Sequence, residues 1–441
     1  MHTIADLKAG KYDGQTHLKI SENLSEFPTE IFQLAETLEV LDLFGNKLSE
    51  LPADFGCLKK LKIVFLSNND FEEVPSVLAD CPELTMIGIK SNKVKTVPEN
   101  SLPVNTRWLI LTDNQITKLP DSMGQLTKLQ KLALAGNQLT ELPESMANCR
   151  ALQLARLSAN NLTALPDFLL QLPKLAWVAF SGNPFCKEFE LEDSLPVVSM
   201  DDLETHEVLG QGASGVISRA TWTKPQQGLA NSDRTVALKA YKGEVTSDGY
   251  ALDELSACVA AGSHQNLVEV IAKVESDKQL GLVMALINPE YTNLGEPPTL
   301  QSCTRDHFDD EFMVTVSAVV KIAKSIADVM LHLLDKGISH GDLYAHNTLV
   351  NPDADVLFSD FGAASNYASL PEAQAASLQG VEVRAFGCLL EDLLGSSCDS
   401  DECPELFEPL VLLKNRCMHP KGLSRPSFAE IKADLDAIEL T

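Results

Sequence analysis

Through its first 190 residues the chain repeats one apolar rhythm. Apolar positions in the order L-x-x-L-x-L-x-x-N, as in "LEVLDLFGN" and "LQKLALAGN", end on an asparagine that recurs as Asn23, Asn46, Asn69, Asn92, Asn114, Asn137, Asn160 and Asn183. Each step is 23 residues except one of 22, and a second signature follows the asparagine, in "LSELP", "FEEVP", "ITKLP", "LTELP" and "LTALP". The alternating apolar triplet predicts one short strand per turn. Its inward leucines, such as Leu132 and Leu134, cannot be buried by one turn alone, so the turns must stack into a continuous core. The asparagine is expected to turn inward and satisfy backbone groups of neighbouring turns, which burial would otherwise leave unpaired. The first turn carries Gln15 where the others carry a leading leucine, as a solvated cap would.

This pattern resembles the leucine-rich repeat, with about eight turns of 22–23 residues. The resemblance implies an α/β solenoid built on a curved parallel sheet. On its concave face one column reads Val40, Ile63, Met86, Trp108, Lys131, Leu154 and Trp177, and holds two of the chain's three tryptophans. Exposed, such a stripe would mark an interface. Ile63, Met86, Trp108, Leu154 and Trp177 are therefore expected to contact a protein partner, or the second half of the chain itself.

The rhythm ends after "FSGNPF", and "CKEFELEDSLPVVSMDDLE" is acidic and irregular. These changes divide the chain into a repeat domain (1–190), an acidic linker (191–203) and a second domain (204–441). The second domain opens with "EVLGQGASGVISRA", where Gly210, Gly212 and Gly215 stand in G-x-G-x-x-G order. Dinucleotide-binding folds use the same glycines to open a helix, but here the β-branched, alternating "GVISRATW" predicts a returning strand. The glycines let backbone amides approach phosphate oxygens closely. A second strand, "TVALKAY", puts Ala237 and Lys239 on one face. Helical "GYALDELSACVAAGSHQNLVEV" follows, then the strand "LGLVMALI". Residues 312–334 form the most apolar long run, but Lys321, Lys324 and Asp328 mark it as a buried helix rather than a membrane span.

The most informative stretch is "HGDLYAHNTLV". Asp342 and Asn347 are five positions apart, and Asp360 in "LFSDFGAAS" lies 18 beyond Asp342. Together with the glycine run and the V-A-L-K strand, these residues resemble a protein kinase. That resemblance implies an α+β two-lobed domain with ATP and magnesium between the lobes. It places Leu209, Gly210, Gly212, Ala213, Ser214, Gly215, Val216 and Ala237 around the nucleotide, with Lys239 on its phosphates. Glu254 would pair with Lys239, with Asp253 as the alternative. Met284 would be the gatekeeper, and backbone groups of Ala285, Leu286 and Ile287 would bond the adenine. Asp342 would accept or orient the acceptor hydroxyl, while Asn347 and Asp360 would hold Mg2+ as hard oxygen ligands.

Two positions depart from the family. Gly341 replaces an arginine that normally pairs with a phosphorylated residue, which implies an enzyme not switched on that way. Tyr344 replaces a lysine that stabilises charge on the transferring phosphoryl group, a task His346, four places after Asp342, is expected to take over. The segment from Asp360 to Glu382 is also short, at 22 positions. "LPE" (Leu370 to Glu372) would be its shortened A-P-E, with Arg425 of "CMHPKGLSRPSFAEI" as the partner of Glu372.

Composition narrows the rest. A net charge of -27 disfavours nucleic acid, whose phosphates need clustered lysine and arginine. Ten scattered cysteines without paired zinc spacing read as reduced thiols, and the first residues lack the apolar stretch of a signal peptide. A soluble, cytoplasmic chain without membrane or nucleic-acid partners is expected. The resemblance implies ATP-dependent phosphorylation of serine or threonine hydroxyls, with the repeats recognising protein. A pseudokinase scaffold and a small-molecule phosphotransferase are the alternatives.

Overall fold

The computed structural model describes residues 2–189, 195–212, 214–224, 235–243, 246, 248–276 and 279–439, with the side chains at 275, 276 and 279 left aside. The chain divides into two compact units. One comprises Met1–Leu175 and Asn183–Phe185; the other comprises Ala176–Gly182 and Cys186–Thr441.

In the first unit each turn contributes a three-residue strand: His17–Lys19, Val40–Asp42, Ile63–Phe65, Met86–Gly88, Trp108–Ile110, Lys131–Ala133 and Leu154–Arg156. They pair in parallel, with each residue opposite its equivalent in the next turn. The asparagines do what burial demands of them. Asn137 Oδ1 accepts from the Ile116 amide at 3.0 Å, and its Nδ2 donates to the Leu111 and Leu134 carbonyls at 2.9 Å. The same three-way bonding recurs at Asn69, Asn114 and Asn160. The proline of each later signature then starts a tight 3-10 turn, as Pro52, Pro75, Pro120 and Pro143 do with φ between -63° and -76°.

The expected exposed column is not exposed. Ile63, Met86, Leu154 and Trp177 are buried, while Val40, Trp108 and Lys131 keep partial exposure. Within the first unit, parallel strands bring equivalent side chains within about 5 Å, so long neighbours cover one another, whereas Trp177 is covered by Tyr344. Lys131, for example, places its Nζ 4.4 Å from the centre of the Trp108 ring.

The second unit opens on a six-stranded sheet. Its order is Leu203–Gln211, Gly215–Trp222, Thr235–Tyr241, Gln279–Met284, Val270–Ser276 and Val197–Val198. All pairs are antiparallel except the last. The acidic stretch expected as a linker therefore contributes to this sheet: Val197–Val198 is an edge strand, and Val198 and Leu203 lie in the sheet's core with Trp222 and Val283. Residues 191–194 lie outside the described residues. Helix Ala251–Ala261 packs its Ala251, Leu255 and Val259 on Tyr241 and Leu282 of the sheet. The rest is mainly helical: Val316–Asp335, Glu372–Gly395, Pro404–Cys417 and Phe428–Asp436. The long apolar run forms the first of these. Thr315 caps it by accepting from the Ala318 amide, and its apolar positions, from Val316 through Ile326 to Leu334, are buried. Among the described residues no helix is long and apolar enough to cross a membrane.

Candidate active site

The hairpin between Leu203–Gln211 and Gly215–Trp222 carries the glycine run, and Gly215 is fixed by contact. A Cβ there would meet the Ala240 carbonyl oxygen at 2.5 Å, so only glycine lets the hairpin lie on the central strand. That strand presents Lys239. The register puts Ile217, not Val216, opposite Lys239 and so on the same face; Val216 faces the other way, opposite Ala240. Ile217 thus replaces Val216 as the apolar residue beside the lysine.

A cavity of about 120 Å³ is lined by Gly212, Ser214, Gly215, Ile217, Lys239, Asp248, Asp342, Asp360 and Gly362. Segments separated by more than a hundred residues thus bring one amine and three carboxylates to one space. Helix Ala251–Ala261 aims the buried Glu254 at Lys239, and the two form an ion pair, which decides between Glu254 and Asp253. Burial works against the Lys239 charge, but the Asp360 and Glu254 carboxylates outweigh it and hold the amine protonated. The surrounding protein pushes the Asp360 carboxyl up, yet Lys239 and the Gly362 amide keep it below the ordinary carboxylate range. Asp360 sits at φ +62°, a conformation few non-glycine residues adopt and one that clusters at functional sites.

The loop carrying Asp342 is held from several sides. The Gly341 amide donates to Glu382 Oε1 at 2.8 Å, and Ser339 Oγ bonds the same oxygen. The buried His340 packs on Phe358 and Phe361, with ring centres 4.4 and 5.2 Å away. Asn347 Nδ2 donates to both the carbonyl and Oδ2 of Asp342 at 3.0 Å. His346 Nδ1 lies 2.6 Å from Asp306 Oδ1, while Asp306 Oδ2 accepts from the Ala345 amide at 2.5 Å. Burial lowers the His346 pKa, but Asp306, aided by Asp342 and Asp360, outweighs it and raises the imidazole above 6.5.

The comparisons agree with this geometry. Residues 203–386 match the model of the protein tyrosine and serine/threonine kinases, and residues 37–58 and 104–162 match leucine-rich-repeat models. The chain joins leucine-rich repeats to a protein-kinase domain. Fibroblast growth factor receptor 1 of Pleurodeles waltl is 24% identical over 306 residues, which cover 58% of this chain and 38% of that one. Ephrin type-A receptor 8 of Mus musculus is 25% identical over 302 residues, covering 58% and 27%. The chain thus spans well under half the length of these relatives. A leucine-rich-repeat protein of Leptospira interrogans is 25% identical, with a TM-score of 0.36, over 42% of this chain and 53% of that one.

Other expected positions of the kinase domain fall outside the cavity lining. Leu209 is exposed, and Gly210 has open space around its Cα; Ala213 lies outside the described residues. Ala237, on the strand that carries Lys239, pairs with Met284 of the neighbouring strand. The Ala285 amide donates to the Glu269 carbonyl at 3.0 Å, which removes it from the groups offered to adenine; the structure attaches no such bond to Leu286 or Ile287. Asn347 stands behind Asp342 rather than on the cavity wall. Glu372 is exposed in the first turn of helix Glu372–Gly395, capped by Pro371, and Arg425 instead donates to the Gly380 and His419 carbonyls. With helix Glu372–Gly395 starting so soon after Asp360, the carboxylate never reaches the arginine. Four site residues were missed. Ile217 was legible from the strand alternation and Gly362 from its place two after Asp360, but Asp248 and Asp306 have no spacing that marks them.

Among the described residues no group of three or more metal-ligating side chains forms a site by itself. Magnesium does not need one, because it is usually held by one or two carboxylates together with substrate phosphates. The hard carboxylates of Asp360, Asp342 and Asp248 around a lysine, under a glycine loop, fit such an ion bound with a nucleotide.

Proposed function

We propose that the kinase domain transfers the γ-phosphoryl group of ATP to a serine or threonine hydroxyl of a protein, with Mg2+. The observation carrying this reading is the single cavity lined by the glycine loop, Lys239, Asp342 and Asp360. In this reading backbone amides around Gly212 and Gly215 cover the phosphates, and Lys239, locked by Glu254, binds them. Asp360 would hold the ion, which neutralises developing charge on the phosphates. Asp342, oriented by Asn347, takes the hydroxyl proton. His346, whose cationic form Asp306 favours, supplies the positive charge that lysine gives elsewhere. Acceptor class rests on the sequence alone, as do a cytoplasmic setting and protein recognition by the repeats.

The test is transfer from labelled ATP and magnesium to peptide libraries bearing serine, threonine or tyrosine, beside Asp342→Asn. Transfer to serine or threonine, reduced roughly a thousandfold in the variant, is expected. Labelling of tyrosine alone, or only of sugars, cholines or aminoglycosides, would replace the acceptor.

A further inference from the structure

The segment Ala176–Gly182 continues the repeat sequence yet belongs to the second compact unit, where it lies against the loop carrying Asp342. Four contacts define the fit. Trp177 stacks flat on Tyr344, with ring centres 4.4 Å apart and planes 8° from parallel. Its indole Nε1 donates to the Leu343 carbonyl at 3.0 Å. The Phe180 amide donates to Ser365 Oγ at 2.9 Å, within the segment that starts at Asp360. The Val178 carbonyl oxygen lies where a Cβ of Gly341 would be only 2.5 Å away.

Two of these contacts fall on the two positions at which the loop departs from its family. Gly341 admits the Val178 backbone, and no larger residue would. Tyr344 supplies the flat face for Trp177, and its other neighbour is His346, whose ring centre is 4.8 Å away. A row of rings therefore runs from Trp177 through Tyr344 to His346 and ends on the Asp306 carboxylate. Trp177 and Tyr344 are only 1% and 4% exposed, so the row is packed rather than a chance surface contact. The indole donor fixes the peptide plane between Leu343 and Tyr344, one peptide unit beyond the plane that carries the Asp342 carbonyl, and so restrains the chain on that side of Asp342.

We propose that Trp177 is a positioning residue for phosphoryl transfer: through the Leu343 carbonyl and the Tyr344 ring it sets the placement of Asp342 and His346. It thereby takes over the loop-ordering task that an arginine at position 341 would share with a phosphorylated residue. This rests on the phosphotransfer reading above. It deepens that reading by naming what holds the loop in its working geometry.

The test uses the full chain with Trp177→Phe, which keeps a ring for Tyr344 but removes the donor, and Trp177→Leu, which removes both. A positioning role predicts kcat lower by ~5-fold in the first and ~30-fold in the second, with KM for ATP within about 2-fold of wild type. Loss in Trp177→Leu alone assigns the effect to the stack and still supports the role. A kcat within about 2-fold of wild type in both variants, or a change confined to KM, overturns it. If Trp177→Leu does not fold, Tyr344→Leu, which removes the other half of the stack, takes its place under the same criterion. If the wild-type chain transfers no phosphate, the function has failed rather than the positioning. Amide exchange then decides: faster exchange confined to residues 341–348 in Trp177→Phe supports it, and unchanged exchange there overturns it.

Discussion

Replacing Gly341 by arginine would restore the residue usual in protein kinases, and the structure predicts that it damages this one. Gly341 sits at φ +70°, where an L side chain costs about 1–2 kcal/mol. A Cβ at this position would lie 2.5 Å from the Val178 oxygen and 2.8 Å from the Ala363 oxygen. Both are backbone atoms and cannot rotate aside. The Gly341 amide is also tied to Glu382, so the loop cannot swing away without breaking that bond. Overpacking of this kind adds roughly 1–3 kcal/mol, giving a total of ~2–5 kcal/mol. Gly341→Ala already carries the whole penalty, because the clash begins at Cβ. At about 2–4 °C per kcal/mol for a domain of this size, melting should fall by roughly 4–20 °C. Calorimetric melting of the full chain and of Gly341→Ala measures this directly, and Gly341→Arg should show no gain in transfer. An alanine variant melting within about 1 °C of wild type would refute the steric reasoning.

Three other perturbations probe different parts of the molecule. Glu254→Ala leaves the Lys239 cation buried without its ion-pair partner, so a loss of ~3 kcal/mol by denaturant unfolding is expected, together with weaker nucleotide binding; undiminished stability and affinity would show that the pair does nothing. His346 is cationic below its pKa, which Asp306 holds above 6.5, so turnover should stay high in acid and decline only as pH rises past that value. His346→Arg should flatten this decline, and superimposable pH profiles would remove His346 from the charge-stabilising role. Asn137→Ala strips partners from one buried amide and two carbonyls and should cost ~2–4 kcal/mol in the first unit; a loss under about 0.5 kcal/mol would mean that water replaces the side chain.

What could be read in advance depended on whether a feature repeats along the chain or recurs within a motif. The asparagine ladder and the three-residue strands follow from periodicity. Gly215, Lys239, Asp342 and Asp360 follow from spacing, and all four line one cavity. Residues placed by tertiary contact alone could not be found this way. Trp177 meets Leu343 across 166 positions, and Asp306 meets His346 across 40, with nothing local to announce either pair. Burial of the concave column was missed for a related reason: alternation gives a side chain's direction but not what covers it. Val216 is named from its place next to the last glycine of the run, whereas antiparallel register puts Ile217 on the face of the lysine. The Ala285 amide shows the same limit, since its partner, Glu269, lies in a separate segment of the chain.

Equilibrium binding of a non-hydrolysable ATP analogue with magnesium, measured on the full chain and its single variants, tests the convergence at the cavity most directly. One saturable site per chain is expected, weakened by Lys239→Met and by Asp360→Asn but retained in Asp342→Asn. Absence of saturable binding, or binding indifferent to both Lys239 and Asp360, would contradict it.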